Sequence, residues 1–178
     1  MKSNDKITVR RAIPSDLKGI ADLVLNSFLK EIHDGVKELE STDDPKESLT
    51  ISKQKFIFDY MNRYKTKVPF VIYIAVKNGE LIGASGGLVG EGKWAQSTWG
   101  CEDFWFVKKE HRGTRAGLLL FNKLMDWFKK MKVDRINMTH YTWNPKVEKF
   151  YDKKGFVPYE INYVYKVEKE YRDGTRSS

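Results

Sequence analysis

The sequence predicts one α+β domain over residues 1–178, with a core from about 7 to 168, about seven strands and about four helices. Three observations carry that expectation. Apolar runs of strand length, such as FVIYIAV at Phe70–Val76, sit beside runs whose apolar residues recur every three to four positions. The turn signal NGE at Asn78–Glu80 joins two strand-like runs directly, as an antiparallel pair requires. No internal repeat, low-complexity stretch or linker divides the chain.

Taken in order, Ile7–Ala12 (ITVRRA) reads as a first strand, and Pro14 suits the first turn of a helix. Leu17, Ile20, Ala21, Val24 and Phe28 then form an apolar helical stripe. His33–Leu49 is polar and reads as a loop, and Ser52–Tyr64 as a second helix carrying Phe56, Tyr60 and Met61. Phe70–Val76, Leu81–Gly90 and Ser97–Val107 form a three-strand meander, whose middle strand is loosened by four glycines. Ala116, Leu120, Leu124, Trp127, Phe128 and Met131 repeat at helical spacing. Arg135–Tyr141 is a strand, and Asn144–Gly155 a short helix with Pro145 near its start and Gly155 past its end. Phe156–Glu168 alternates like two strands bent at Pro158–Ile161, and 170–178 is a loose tail.

Composition excludes several classes. No apolar run is long enough to cross a bilayer, so no membrane partner is expected. The N-terminal MKSNDKITVRR lacks the apolar stretch of a secretory signal. Cys101 is the lone cysteine, which points to a reducing, cytoplasmic compartment. No His/Cys pair has zinc spacing, so no metal is expected. The net charge of +8 is spread along the chain and mixed with acids, and the densest basic stretch, Lys129–Lys132, ends a helix where it complements the dipole. Nucleic acid is therefore not the expected partner. One segment runs against the trend: Glu38–Glu47 (ELESTDDPKE) holds five acids and one lysine.

The most informative stretch is Val107–Leu120, VKKEHRGTRAGLLL: a strand end, a basic turn with two glycines, and an apolar run opening a helix. The first N–H groups of a helix lack intrahelical partners and the dipole is positive there, so such a turn binds anions. Gly113 and Gly117 let the backbone turn and let a ligand approach without a Cβ in the way. A triphosphate loop is excluded by the absence of Gly-Lys-Ser/Thr, and a dinucleotide turn by the glycine spacing.

This turn, the amphipathic helix and strand after it, and the later NPKVEKFYDKKGF together closely resemble the GNAT superfamily of acyl-CoA-dependent N-acyltransferases. The family's turn pattern is Arg or Gln, two residues, Gly or Ala, one residue, Gly or Ala. Here it reads Arg112, Gly113, Thr114, Arg115, Ala116, Gly117, with Arg115 replacing the first small residue. The second pattern, an Asn followed by a helix ending in Tyr, three residues and Gly-Phe, matches Asn144, Tyr151, Gly155 and Phe156. The resemblance spans Ile7 to about Glu168, and it implies a mixed, mostly antiparallel central sheet flanked by the helices.

Carried over residue by residue, it implies acetyl-CoA as co-substrate and a primary amine as acceptor, in a monomer or a homodimer. Backbone groups of Phe106 and Val107 would pair with the pantetheine arm. Backbone N–H groups from Arg112 through Gly113, Thr114, Arg115 and Ala116 to Gly117 would hold the pyrophosphate. Asn144 would contact the pantetheine chain, and Tyr151 would protonate the departing thiolate. The base that takes the amine proton would be Glu102, with Asp103 or water as the alternatives. Glu38–Glu47 would border the acceptor and draw a cationic small molecule or a protein amine.

Plainer roles stand beside these. Tyr151 also reads as a packed ring, Asn144 as an N-cap, Phe104, Trp105 and Phe106 as core, Cys101 as a small buried hydrophobe, and the acidic run as a solvated loop. Arg115 either reaches a phosphate or stays in water. A non-catalytic GNAT-like module that binds CoA, protein or nucleic acid is the alternative to an enzyme.

Overall fold

The structure, a computed structural model, describes residues 6–28, 31, 53–66, 68–92 and 96–163. It divides into two compact units, 1–139 and 140–178. The first unit holds a five-stranded sheet in the order β1 (Ile7–Arg11), β2 (Phe70–Lys77), β3 (Glu80–Glu91), β4 (Thr98–Val107), β5 (Arg135–Asn137). The first four strands are antiparallel neighbours and β5 runs parallel to β4, so the sheet is mixed. Asn78 and Gly79 both take positive φ, 51° and 81°, the backbone of a tight hairpin turn between β2 and β3.

α1 (Leu17–Leu23) and α2 (Lys53–Lys65) cover one face of the sheet. Leu17 and Ile20 of α1 and Tyr60 of α2 pack there with Ile72, Ala84 and Phe104. The stripe expected of the second helix is narrower than its sequence suggests: Tyr60 is buried, while Met61 faces water. α3 (Ala116–Lys130) covers the other face with Ala116, Leu120, Leu124 and Phe128. It lies flush because the strands beneath it carry small residues. A Cβ built at Gly100 would sit 2.4 Å from Phe128 Cδ1, and one at Gly87 2.7 Å from Phe128 Cζ. Of the four glycines that looked like a loosening of β3, Gly87 thus joins Gly100 of β4 in a seat for the helix, while Gly86 lies against Phe104. Among the described residues no helix is long and apolar enough to cross a membrane.

A β-bulge in β4 decides which residue faces which way. Gly87 pairs with Glu102 and Gly86 with Phe104, so Asp103 is the extra residue. Ahead of it Gly100 faces α3; beyond it Phe104 and Phe106 join the cluster under α1 and α2. Without the inserted residue, period-two alternation would turn Phe104 and Phe106 towards α3.

The second unit holds α4 (Pro145–Lys153), the last of four α-helices whose bounds fall among the described residues. It ends as its sequence predicts: Gly155 takes φ 81°, its N–H bonds Asp152 O at 3.0 Å, and Phe156 N–H bonds Tyr151 O at 3.1 Å. This is a Schellman closure. Among the described residues the sheet has five strands, against the expected seven or so. Phe156–Tyr163 forms no ladder, and 164–168 lie outside the described residues. Val157, Tyr159, Ile161 and Tyr163 do alternate, but all are exposed, from 67% to 90%. Alternation makes a strand only where a neighbouring backbone pairs with it, and Pro158 removes one donor from that stretch.

Candidate cofactor turn and catalytic residues

β4 ends at Val107, and a single 3-10 turn, Lys109–His111, carries the chain to Gly113, whose φ of 79° lets it reverse into α3. Three backbone donors of this turn are spent locally, the first being His111 N–H, which bonds Lys108 O at 2.9 Å. Arg112 N–H bonds Lys109 O at 3.2 Å, and Ala116 N–H bonds Thr114 Oγ1 at 3.3 Å. Thr114 Oγ1 itself donates to His111 O at 2.7 Å and so ties the turn together. The N–H groups of Gly113, Thr114, Arg115 and Gly117 meet no protein acceptor among the described residues. They lie at the start of a 15-residue helix, the end where an anion is stabilised.

The two arginines of the turn behave differently. The Arg112 guanidinium is anchored: Nε donates to Val107 O at 2.9 Å, Nη2 pairs with Glu31 at 2.6 Å, and the group stands 5.1 Å from the Phe106 ring centroid. Arg115 sits at the helix N-cap with φ −73° and ψ −6°, is exposed, and makes no ion pair among the described residues. Its backbone is ordinary right-handed helix, so the turn does not require glycine there.

The strand before the turn presents its backbone by alternation. Lys108 N–H bonds Ile82 O at 2.9 Å, and a Cβ built at Gly83 would lie 2.8 Å from Phe106 O. Both place the polar groups of Phe106 on the β3 side. The backbone groups of Trp105 and Val107 therefore turn to the other side, where β5 pairs with β4 only at Trp99, Gly100 and Cys101. Of the two residues expected to meet the pantetheine arm, Phe106 turns its backbone groups to β3 and Val107 turns its own away from β3, where Val107 O accepts from Arg112 Nε at 2.9 Å.

Glu102 and Asp103 part company at the bulge. Glu102 lies just past the last β4–β5 pair, where its Oε2 accepts the Thr139 N–H at 3.0 Å. Asp103 turns to α2, where its carboxylate pairs with Arg63 at 2.6 Å and accepts the Tyr60 phenol. Burial, reinforced by the Asp103 charge, pushes the Tyr60 phenol far above its ordinary range. Tyr60 therefore serves as a hydrogen-bond donor with its proton fixed. Cys101 is half-buried, and burial with the Asp103 charge raises its thiol, which disfavours the thiolate form.

In the second unit, Asn144 holds the N-cap position of α4 but its side chain makes no capping bond. Its backbone closes the turn instead, N–H to Tyr141 O at 2.8 Å and O from Val147 N–H at 3.1 Å. Tyr151 is buried, 6% exposed, with the rings of His140, Phe150 and Phe156 around it. The acidic run Glu38–Glu47 lies outside the described residues. Glu80, Glu110 and His111 bring three ligand atoms within 4.8 Å of one another, but Lys108 Nζ already sits 2.5 Å from Glu80 as the local cation.

Sequence reading missed the bulge, the Glu31 partner of Arg112 and the placement of His140. The bulge is hidden because Phe104, Trp105 and Phe106 are all aromatic, so a change of facing leaves no trace in the apolar pattern.

A family model described as "Acetyltransferase (GNAT) family" matches residues 33–156. Solved structures share the fold at low identity. A glucosamine-6-phosphate N-acetyltransferase from Arabidopsis thaliana is 17% identical, with 92% of this chain and 99% of that chain covered and a TM-score of 0.63. An acetyltransferase from Trypanosoma brucei is 16% identical over 91% and 100%, with a TM-score of 0.63. An aminoglycoside N-acetyltransferase in complex with CoA is 14% identical over 94% and 98%, with a TM-score of 0.67. No curated sequence matches.

Proposed function

The chain belongs to the acetyltransferase (GNAT) family, and on that premise we propose that it transfers an acetyl group from acetyl-CoA to a primary amine by direct attack in a ternary complex. The observation that carries this reading is the turn at the start of α3, whose N–H groups at Gly113, Thr114, Arg115 and Gly117 have no acceptor among the described residues. An oriented set of donors at a helix N-terminus suits a diphosphate. The similar aminoglycoside enzyme was solved with CoA, and two of the similar enzymes are named for N-acetylation of amino sugars or aminoglycosides, which supports an amine acceptor.

Each residue then has a task. The turn holds the diphosphate, and Val107, whose O accepts from Arg112 Nε, offers its backbone N–H to the amide-bearing arm on the side of β4 away from β3. Asn144, with its side chain uncommitted to capping, bonds the same arm. Glu102 takes the proton of the attacking amine, since Asp103 is committed to Arg63 and Tyr60. Tyr151 gives its phenol proton to the sulfur as the C–S bond breaks; a phenol with a pKa near 10 can protonate a developing thiolate.

The test is thiol release from acetyl-CoA across a panel of polyamines, aminoglycosides and lysine peptides, with CoA binding measured in parallel. Amine-dependent thiol release supports the proposal. CoA binding without release on any amine makes the chain a binding module, and absence of CoA binding removes both readings.

A further inference from the structure

We propose that Trp105 is a positioning residue for the cofactor: its indole fixes the start of α3, so that the amide donors of the turn are already aimed when the diphosphate arrives. This deepens the reading of the turn given above and rests on it. Trp105 Nε1 donates to Gly117 O at 3.1 Å. The acceptor belongs to the second residue of α3, whose own N–H is among the donors that meet no protein acceptor.

A helix frays at its ends, because its first N–H groups have no intrahelical partners. The turn leading into α3 is held from its own side by Thr114 Oγ1, which bonds His111 O and Ala116 N–H. The indole holds it from the sheet. Its ring stands 5.7 Å from the Phe121 ring, centroid to centroid, and a Cβ built at Gly117 would meet Trp105 Cζ2 at 3.6 Å. The ring therefore lies along the first turn of the helix. The carbonyl does not need this bond to be satisfied, since a regular helix already pairs Gly117 O with the Phe121 N–H. What the second donor adds is orientation. The peptide is planar, so fixing Gly117 O also sets the direction of the Leu118 N–H.

The place of Trp105 in β4 gives it a second reach. Its backbone groups turn away from β3, as those of Val107 do, while its side chain packs with Ala116 and Leu120 of α3. One residue thus ties the strand assigned to the amide-bearing arm to the helix assigned to the diphosphate, and sets the spacing between the two halves of one ligand. Donors held in place before binding need no ordering during it, and that raises affinity.

The experiment is Trp105→benzothienylalanine, in which sulfur stands in place of the indole N–H and the shape of the ring is kept. CoA affinity is measured by calorimetry, and amide hydrogen exchange is followed with and without CoA. The expected result is a CoA Kd raised about three- to tenfold, the worth of one hydrogen bond. In the free protein, exchange should quicken at the first turn of α3 and nowhere else, and bound CoA should close that difference. Trp105→Phe, which keeps an aromatic ring beside Phe121, should weaken CoA at least as much. Wild-type affinity in the isosteric variant overturns the proposal. So does weakened binding with exchange unchanged at the start of α3, or with exchange quickened along the whole helix, which marks a packing defect. A wild-type protein that binds no CoA removes the cofactor reading itself, whereas wild-type binding matched by the isosteric variant removes only the role of Trp105.

Discussion

Glu102 and Asp103 are adjacent in sequence and serve opposite faces of the sheet: Glu102 accepts the Thr139 N–H at 3.0 Å, and Asp103 grips Arg63 at 2.6 Å. Strand alternation separates the two acids, and the bulge at Asp103 resets the facing of the residues after it, which puts Phe104 and Phe106 in the cluster under α1 and α2. One acid is thereby left beside the opening between β4 and β5, while the other fastens α2 to the strand.

The two acids should therefore fail in different ways. Glu102→Gln is expected to lower kcat by roughly 10²–10⁴-fold with little change in stability, since the amide oxygen still accepts from Thr139. Asp103→Asn is expected to lose about 1–2 kcal/mol of stability, because Arg63 and the Tyr60 phenol lose a charged acceptor. Urea denaturation beside steady-state kinetics separates them. If Asp103→Asn loses activity at unchanged stability and Glu102→Gln keeps it, Asp103 is the base.

Gly117 should discriminate between space and charge. A Cβ there would meet Trp105 Cζ2 at 3.6 Å, ordinary contact, so Gly117→Ala should fold and gain up to about 1 kcal/mol in helix propensity. Gly117→Asp should fold too, yet its carboxylate at the helix start repels a diphosphate, and calorimetry should show CoA binding abolished. Retained affinity in the Asp variant takes the turn out of the cofactor site.

Arg115 makes no ion pair among the described residues, and Arg115→Ala is expected to weaken CoA binding by about 1–3 kcal/mol, the range for bonds to charged groups. Raising salt should shrink the loss, since the side chain is exposed. Arg115→Gly should match Ala, because a φ of −73° gives glycine nothing to relieve. Wild-type affinity in both variants at low salt means the backbone alone holds the phosphates.

The seat of α3 should not tolerate a methyl group. Gly100→Ala is expected to cost about 1–3 kcal/mol, since the new carbon would lie 2.4 Å from Phe128. Combining it with Phe128→Leu should recover part of that loss. Ser85→Ala, on the same face, is expected to be neutral or stabilising, because its buried Oγ has no hydrogen-bond partner. A Gly100→Ala protein with wild-type thermal stability contradicts the close approach of helix and strand.

Acid should release the N-terminal clamp. Arg10 grips Asp16 with both nitrogens, at 2.7 and 2.8 Å, and Asp16 also accepts the Ile13 N–H at 2.9 Å. The Arg10 hydrogen bond, then the Ile13 N–H, hold the Asp16 carboxyl below its ordinary value. Its folded pKa is thus lower than its unfolded one. The contribution is present above about pH 4 and disappears as pH falls through the lowered value. Asp16→Asn should lower the melting temperature at pH 7 and leave it unchanged near pH 2; an equal loss at both pH values rules out the carboxylate as the cause.

The sequence by itself determined whatever depends on neighbours along the chain. The β2–β3 turn follows from Asn78-Gly79, the end of α4 from Gly155, and the reversal into α3 from Gly113 ahead of an amphipathic run, because each rests on local φ preferences and side-chain period. The match of Asn144 and Tyr151 was legible for the same reason, as a spacing within one helix. Tertiary structure decided the rest. Whether Phe156–Tyr163 forms strands depends on a pairing backbone, which no alternation encodes. Which face Phe104 and Phe106 take depends on one inserted residue, Asp103, whose place is set by the register of β4 against Gly86 and Gly87. That Arg112 is anchored while Arg115 is not depends on Glu31 and Val107 O, partners 81 and 5 residues away. Register and long-range charge pairing are properties of two segments at once, and a single run of residues specifies neither.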